Sequence, residues 1–274
     1  MNQRCVLMLT NASRQEAKGA AEQIVSILSK AGVEVVDNID SAQSSIELVL
    51  VLGGDGTILR GAEIALKLNV ALLGINLGHV GFMAEVETFT YAEVAQSIIE
   101  KDYVLDQRML VSFQVKRKNQ IIENGWALNE VSIERKSTTM LELFVQIDER
   151  PLSRWGCDGI ICATPTGSTA YAFSAGGPVL WPEVQALVLL PIAAHALFAR
   201  PMVIAPTSTI VVAIESSDAS LSADALRKID LQKDDQILLT KNPALVKLAH
   251  LKSTIFTDRL VAKFKLPIEG WRSE

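Results

Sequence analysis

The sequence predicts an α/β protein in which a parallel-sheet domain precedes an antiparallel β-rich domain. In the first hundred residues, short apolar runs alternate with stretches of helical periodicity, which is typical of a parallel sheet covered by helices. After about residue 103 the runs alternate polar and apolar residues with period two, and short turns separate them, which indicates antiparallel strands. We expect an α/β domain over residues 1–100, a β-rich domain over 101–252 and an apolar tail, 253–274, that packs back on the body.

The elements of both domains follow from these patterns. In the first domain we expect strands over 5–9, 33–36, 48–52 and 70–73, with helices after Ser13, from Ile58 and over 90–99. In the second we expect strands over 110–115, 127–133, 141–147, 208–214 and 235–240. Parallel sheets bind ligands at the carboxyl ends of their strands, so the glycine-rich segments that follow the third and fourth strands, 53–57 and 74–82, are candidate binding loops.

The third strand and its turn carry the strongest chemical signal. Five aliphatic residues, 48–52, indicate a strand buried on both faces, and the run stops at Gly53-Gly54-Asp55-Gly56-Thr57. Glycine permits positive φ and leaves the backbone open, so this turn and the following helix N-terminus are suited to bind phosphate. A carboxylate beside phosphate makes sense if it handles a proton or a metal ion. The combination suggests phosphoryl transfer, although Asp-Gly is also ordinary turn chemistry.

Two further clusters interrupt the β pattern. Asn129 and Glu130 are adjacent, and adjacent strand residues point to opposite faces, so both can face one ligand only where a strand begins or bulges. A surface turn explains the pair equally well. Residues 164–169, Thr-Pro-Thr-Gly-Ser-Thr, follow an apolar run and precede Tyr171. The hydroxyl groups of this turn could hold phosphate or ribose oxygens, and an ordinary helix N-cap is the alternative.

Composition narrows the class of protein. The net charge of −5, with 49% hydrophobic and 21% charged residues, is ordinary for a globular protein and argues against a nucleic-acid binder. Cys5, Cys157 and Cys162 are odd in number and lack zinc-ligand spacing, so we expect neither a disulfide framework nor a zinc site. We find no signal-peptide pattern and no apolar run of about 18 residues. The expectation is a cytoplasmic protein without a membrane partner.

The motifs taken together resemble the NAD kinase family. The matching features are Gly53-Gly54-Asp55-Gly56-Thr57, Asn129-Glu130, Asp158-Gly159, the segment 164–171 and Ser174-Ala175-Gly176-Gly177-Pro178, in this order. The resemblance extends through 74–82 and 191–203, and the tail from Phe256 to Trp271 looks like the ending of actinobacterial members. Fingerprints of other nucleotide-binding proteins, Gly-x-x-x-x-Gly-Lys-Ser/Thr and Gly-x-Gly-x-x-Gly after a strand, are not found in the sequence.

The resemblance implies a Rossmann-like first domain that handles the phosphate donor and a second domain that binds NAD. It implies phosphorylation of the 2′-hydroxyl of the adenosine ribose of NAD by ATP or polyphosphate with Mg²⁺, by a homodimer or homotetramer. Asp55 is then the catalytic general base or hydrogen-bond acceptor, and no protein residue is implied as a metal ligand. The implied NAD-binding residues are Asp55, Gly56, Arg60, Asn129, Glu130, Asp158, Thr169, Ala170, Tyr171, Ser174 and Ala193. The implied phosphate-binding residues are Gly53, Gly54, Gly56 and Thr57.

Two departures and two alternatives stand beside this interpretation. Many members carry Asp-Gly-Gln where this chain has Asp224-Ala225-Leu226, and a basic or polar residue where it has Gly156. Lipid kinases of the diacylglycerol or sphingosine type share the Gly-Gly-Asp-Gly-Thr turn, but they are expected to continue with Asn-Glu rather than Ile58-Leu59. A non-catalytic NAD(P)-sensing module is the other alternative, and it would have little use for Asp55.

Overall fold

The chain divides into two compact units. The computed structural model describes residues 4–10, 15–76, 83, 89–216, 218–251 and 256–268. One unit comprises residues 1–107 and 246–274, and the other comprises 108–245. The predicted boundaries were near residues 100 and 252. The chain returns to the first unit earlier than predicted because Lys247, Leu248 and Ala249 pair with a strand of that unit.

The elements follow one another in the predicted order, helices and parallel strands first and antiparallel strands afterwards. The helices are α1 (Gln15–Lys30), α2 (Asp55–Leu68), α3 (Tyr91–Glu100), α4 (Tyr171–Ser174) and α5 (Phe256–Phe264). The strands up to residue 135 are β1 (Arg4–Thr10), β2 (Val33–Val36), β3 (Ile46–Leu52), β4 (Ala71–Ile75), β5 (Val104–Arg117), β6 (Gln120–Ala127) and β7 (Glu130–Arg135). The later strands are β8 (Leu141–Ile147), β9 (Arg150–Cys157), β10 (Gly159–Ala163), β11 (Leu187–Ile192), β12 (Met202–Ile204), β13 (Ile210–Ile214), β14 (Ala219–Ala223), β15 (Arg227–Leu231) and β16 (Gln236–His250).

The first unit contains a parallel sheet in the strand order β2-β1-β3-β4-β16, where β16 contributes its last residues. Residues 48–52 of β3 are at most 1% exposed, as expected for a strand covered on both faces. One apolar core joins α1 and α3 to this sheet. Arg4 ties the sheet to the end of α3 by donating to the carbonyl oxygens of Ile98 and Ile99. The α/β character of the first part of the fold prediction is therefore confirmed.

The glycine turn after β3 differs in detail from the prediction. Helix α2 begins at Asp55 rather than at Ile58, with Gly54 as its N-cap. An acidic residue in the first turn interacts favourably with the helix dipole, which explains the earlier start. Positive φ is not the reason for the glycines here, because the described glycines with positive φ are Gly32 and Gly176. Farther along α2, a Cβ atom at Gly61 would lie 2.5 Å from Val51, so Gly61 permits the close packing of α2 on the sheet.

The C-terminal tail forms α5 and packs within the first unit. Arg259 of α5 is 7% exposed, and its Nη2 atom lies 3.0 Å from Nδ1 of His250, at the end of β16. This contact places the tail helix at the carboxyl end of β16. The end of the tail, including Trp271, lies outside the described residues, as do Ser13 and most of the predicted loop over 74–82.

The second unit consists of two antiparallel sheets around one apolar core. One sheet has the order β12-β11-β10-β7-β14-β15, and the other contains β16, β13, β8 and β9 in that order, with β5 paired to β16 and β6. Apolar side chains alternate along these strands and meet in the core, where Trp155 is the largest fully buried side chain. Strands β7, β10 and β14 lie side by side in the first of these sheets and carry the polar residues described below. The antiparallel part of the predicted fold class is confirmed.

Candidate functional site

Asp55 is the first residue of α2 and follows the buried strand β3 after two glycines. The N–H groups of Thr57 and Ile58 donate to the carbonyl of Gly54, which closes the first helical turn. The Oδ1 atom of Asp55 is buried and accepts no hydrogen bond from the residues that the structure describes. Burial raises the pKa of Asp55, and the positive charge of Lys263 on α5 opposes that rise. A buried carboxylate oxygen without a partner is suited to accept a hydrogen bond from a ligand.

The glycines beside Asp55 have two different roles. Gly53 is buried, its N–H donates to the carbonyl of Ile75 at 3.0 Å, and a Cβ atom there would lie 2.9 Å from Oγ1 of Thr57. Gly53 is therefore needed for the turn itself. Nothing lies within 4 Å of the position that a Cβ atom would take at Gly54 or Gly56. These two residues leave the helix N-terminus open to an anion.

Arg60 is exposed on α2, one turn after Gly56. Residues four apart share a helix face, and helical side chains lean toward the N-terminus. Arg60 and Gly56 therefore share one face of α2. The contact of Arg60 with a diphosphate stays a prediction.

Asn129 and Glu130 lie where strand β7 begins, because the strand starts at Glu130 and Asn129 precedes it. This is the arrangement that would let adjacent residues face one ligand. The carboxylate of Glu130 receives a hydrogen bond from the backbone N–H of Tyr171, yet its Oε2 atom is buried and has no partner among the described residues. Burial, followed by the nearby charge of Asp224, raises the pKa of Glu130 to about 7.

Glu130 and Tyr171 line a polar cavity of about 390 Å³ in the second unit. The Tyr171 hydroxyl donates to Oε2 of Glu134 at 3.3 Å, and the Ser132 hydroxyl donates to Oε1 of Glu134 at 2.8 Å. Burial and the charge of Glu134 raise the pKa of Tyr171. The lining residues are Glu130, Ser132, Glu134, Arg135, Tyr171, Ser220, Ser222, Ala225 and Lys228.

Sequence reasoning missed Ser132 and Glu134. The signal was present, because residues 130, 132 and 134 alternate along one strand and therefore point to the same face of the sheet. On the neighbouring strand β14, Ser222 pairs with Ser132 and Ser220 pairs with Glu134, so the serines extend the polar row. That pairing joins segments about ninety residues apart, so no pattern among neighbouring residues of the sequence could have indicated it.

Asp158 and Ala193 are close together at one end of the same sheet. Oδ1 of Asp158 forms an ion pair with Nε of Arg135 at 2.9 Å, and the carboxylate is half-exposed. The N–H of Asp158 donates to the carbonyl of Ile192, which precedes Ala193. Ala193 is exposed and has a φ of 47°. The charge of Asp158 also raises the pKa of Tyr171, so these residues share one region with the polar cavity.

The hydroxyl-rich turn uses its hydroxyl groups internally. Thr164 Oγ1 donates to the carbonyl of Leu128 at 2.5 Å, and Ser168 Oγ donates to the carbonyl of Pro165 at 2.7 Å. Thr169 Oγ1 likewise donates to the carbonyl of Thr166. Thr164 and Ser168 are completely buried, so their hydroxyl groups are not available to the ligand that the sequence suggested for this turn. Competition from nearby backbone carbonyls is the reason.

The remaining predicted residues of this turn are more accessible. Thr169 and Ala170 are half-buried, and Ser174 is exposed at the end of α4. A Cβ atom at Gly167 would lie 2.0 Å from the carbonyl oxygen of Asn129, so the turn packs backbone to backbone against the start of β7. The turn thus serves as a support for Asn129.

The two departures from the family pattern have clear structural settings. Asp224 and Ala225 both have positive φ, 52° and 55°, and connect β14 to β15, while Leu226 is half-buried. The Asp224 carboxylate accepts hydrogen bonds from the backbone of residues 128–130, a role that the sequence did not reveal. At Gly156, a Cβ atom would lie 2.7 Å from Cε of Met140, so Met140 occupies the space that a larger side chain would take.

The described residues contain no metal-binding cluster, no disulfide and no membrane-spanning helix. No group of three or more His, Cys, Asp or Glu side chains in this part of the chain is arranged to hold a metal ion. Cys5, Cys157 and Cys162 are buried and unpaired. The helices within the described ranges are all too short or too polar to span a membrane.

Comparison of the sequence with known proteins identifies two domains. The ATP-NAD kinase N-terminal domain matches residues 9–103, and the ATP-NAD kinase C-terminal domain matches residues 128–251. The NAD kinase of Thermobifida fusca is 42% identical over 298 residues, which cover 98% of this chain and 91% of that protein. The NAD kinase of Mycobacterium bovis is 47% identical over 245 residues, which cover 88% and 80%. The expected similarity to actinobacterial members is confirmed.

Two solved structures share the fold. An NAD kinase from Archaeoglobus fulgidus in complex with ATP is 28% identical and matches with a TM-score of 0.72, covering 96% of this chain and 98% of that chain. Yeast NADH kinase complexed with NADH matches with a TM-score of 0.86 over 100% of this chain and 90% of that chain. At 22% identity the yeast structure supports the fold alone.

Proposed function

The chain belongs to the NAD kinase family, and from this premise we propose that it transfers a phosphoryl group to the 2′-hydroxyl of the adenosine ribose of NAD, forming NADP. The observation that carries the proposal is the environment of Asp55. Its buried Oδ1 atom accepts no hydrogen bond from the described residues, and it lies in the first turn of a helix beside two open glycines. A carboxylate with a free oxygen next to an anion site is what this reaction requires.

Asp55 acts on the nucleophile. In phosphoryl transfer the protein does little covalent chemistry itself. Catalysis depends on orienting the nucleophile and neutralising charge. In the proposed mechanism the carboxylate accepts the hydrogen bond of the ribose hydroxyl, aims its oxygen at phosphorus and receives its proton as the new P–O bond forms. The bond from this phosphorus to the bridging oxygen of the donor breaks in the same step, and ADP or the shortened polyphosphate leaves. Burial raises the pKa of Asp55, which strengthens it as a proton acceptor, and the positive charge of Lys263 favours the ionised form that this role needs.

The donor is ATP or polyphosphate with Mg²⁺. Gly54 and Gly56 leave the N-terminus of α2 open to the phosphates, and Arg60 on the same helix supplies a positive charge. Mg²⁺ is commonly bound by one or two carboxylates together with substrate phosphates. The donor set at this turn, one carboxylate beside a phosphate site, fits that mode, and a bound ion would neutralise charge on the donor phosphates.

NAD is held by the predicted residues of the second unit. Glu130 and Tyr171 line the polar cavity, and Asp158 lies close to Tyr171. Carboxylates and hydroxyls of this kind suit the ribose hydroxyls and amide of NAD. The set assigned to NAD there is Asn129, Glu130, Asp158, Thr169, Ala170, Tyr171, Ser174 and Ala193.

The direct test is to incubate purified protein with NAD, Mg²⁺ and either ATP or polyphosphate, and to detect NADP with a dehydrogenase strictly dependent on it. We expect NADP with at least one donor. Binding of NAD without NADP formation by either donor would contradict the proposal and would favour the sensor alternative. Omitting the donor serves as the control for contaminating NADP.

The protein is also expected to work as a homodimer or homotetramer in the cytoplasm. Large apolar side chains of the second unit are exposed, among them Leu197 and Phe198, which suits a protein interface. Three buried, unpaired cysteines suit a reducing compartment. Light scattering coupled to gel filtration measures the oligomeric state, and a mass near 29.8 kDa would contradict an oligomer. Cell fractionation measures the compartment.

A further inference from the structure

The segment formed by residues 128–130 is held by two side chains from distant parts of the second unit. Asp224 Oδ2 accepts from the N–H of Leu128 at 2.7 Å, and its Oδ1 accepts from the N–H groups of Asn129 at 2.7 Å and Glu130 at 3.3 Å. The N–H of Asp224 in turn donates to the carbonyl of Glu130 at 3.1 Å.

Thr164 satisfies the other backbone groups of the same segment. Its hydroxyl donates to the carbonyl of Leu128, and its N–H donates to the carbonyl of Asn129 at 2.8 Å. Every backbone N–H and carbonyl of residues 128–130 therefore has a partner on Asp224 or Thr164. Backbone polar groups that are paired and buried hold the chain in one conformation.

The turn that presents Asp224 has the geometry needed for this contact. Ala223 pairs with Arg227, so three residues, 224–226, connect β14 to β15. Asp224 and Ala225 both have left-handed φ values and are the central residues of a β-turn, which the N–H of Leu226 closes by donating to the carbonyl of Ala223. Asp224 is 5% exposed, so its carboxylate is turned inward and away from solvent. A charged group pays a desolvation cost at such a position, and three backbone N–H donors offset that cost.

We infer that Asp224 is a positioning residue for NAD recognition, which fixes the backbone of residues 128–130 so that the side chains of Asn129 and Glu130 are oriented for the nucleotide before it binds. This inference rests on the proposed function. Asp224 acts through its neighbours and touches no part of the reaction. Preorganised contacts raise affinity because the ordering cost is met on folding rather than on binding.

The test replaces Asp224 while keeping the turn. Asn-Gly is the most favourable sequence for a hairpin turn of this kind, so the double variant Asp224→Asn/Ala225→Gly should fold, and Ala225→Gly alone is its reference. The backbone N–H groups of residues 128–130 now donate to both oxygens of the Asp224 carboxylate. An asparagine replaces one of these oxygens with an NH₂ group, which is a donor and cannot accept a hydrogen bond from an N–H group. We expect the KM for NAD and the Kd for NAD to rise about tenfold or more relative to the reference, with the KM for ATP unchanged within about twofold.

A matched control exists in the same unit. Asp148 and Glu149 also have positive φ and connect β8 to β9, and the Asp148 carboxylate accepts from the N–H of Thr209 at 2.8 Å and from Ser208 Oγ at 2.9 Å. Asp148→Asn removes the same kind of turn contact from residues outside the predicted site. It should lower stability without changing the Kd for NAD. Equal NAD affinities for the double variant and its reference would overturn the inference.

Amide hydrogen exchange tests the backbone contacts without any nucleotide. The N–H groups of Leu128 and Asn129 should be protected in the wild type and should exchange at least about tenfold faster in the double variant. Unprotected amides in the wild type would overturn the inference even if no variant folded. Failure of the proposed function has a different signature, namely NAD binding and protected amides in the wild type without formation of NADP.

Discussion

The two turns that the sequence marks as functional, one after β3 and one after β10, differ in where their polar groups go. In the turn after β3, the Asp55 carboxylate has an oxygen with no partner among the described residues, and two glycines face open space. In the turn after β10, Thr164 and Ser168 are completely buried and donate to carbonyls of the protein itself. Similar strand-turn-helix signals thus lead to one turn with an unpaired polar atom and one turn that serves as an internal support.

The comparison shows that residue type identifies a site only when the surrounding backbone leaves the group unpaired. Hydroxyl groups are easily engaged by nearby carbonyls, because a turn always supplies some. The Oδ1 atom of Asp55 accepts no hydrogen bond from the described residues, and the N–H groups of Thr57 and Ile58 donate to Gly54 instead.

Asp55→Asn should lower kcat by two or more orders of magnitude, the scale of a lost acid–base contribution. NAD binding should change little, because the substitution conserves size and leaves the second unit intact. Steady-state kinetics and calorimetric titration with NAD measure the two effects. Asp40→Asn, in an exposed turn of the same unit, is the matched control and should retain wild-type kinetics. Full activity in Asp55→Asn would remove this carboxylate from the mechanism.

Gly167→Ala should destabilise the protein by about 3 kcal/mol or more, because overpacking against backbone forces the chain to shift. The added Cβ atom would lie 2.0 Å from the carbonyl oxygen of Asn129. Gly56→Ala is the matching substitution in the turn after β3. Its free energy of unfolding should equal that of the wild type or be slightly higher, since alanine favours a helix. It should lower activity about tenfold by obstructing the phosphates. Denaturant unfolding measures stability, and similar losses in both variants would contradict the contrast.

Glu130 should make stability depend on pH. Its pKa is raised to about 7, chiefly by burial, so the folded protein retains a proton between about pH 4.5 and 7 that the unfolded chain has released. Stability should therefore fall as the pH rises through this window, by no more than about 3 kcal/mol, and level off above it. Glu130→Gln should abolish this dependence, and Glu142→Gln, at an exposed site, should preserve it. Unfolding midpoints at pH 5 and pH 8 supply the comparison.

Ala225→Gly should raise the free energy of unfolding by about 0.5 to 1 kcal/mol. Ala225 has a φ of 55°, a left-handed conformation in which glycine is not strained. Ala213→Gly, in the middle of β13, is the control of opposite sign, because glycine weakens a regular strand. A drop in the melting temperature of Ala225→Gly would show that alanine is not strained at this turn.

Much of the fold could be predicted from the sequence, because its signals are local. The periodicity of the apolar residues indicates helices and parallel strands before residue 100 and antiparallel strands after it. The start of β7 at Glu130 also satisfies the condition under which Asn129 and Glu130 can face one ligand. The helix start at Asp55 was predicted three residues late, since local patterning shows a helix more clearly than its first turn.

By itself, the sequence determined that parallel strands precede antiparallel strands, and it determined the buried strand β3 and the carboxylate that follows it, since each depends on neighbouring residues in the chain. The tertiary structure alone decided which polar groups remained without partners. Glu134 meets Tyr171 across 37 residues, and Asp224 reaches Leu128 across 96. Such pairings depend on which strands lie side by side, and a hydrogen bond forms or is lost according to the backbone that folding brings near it.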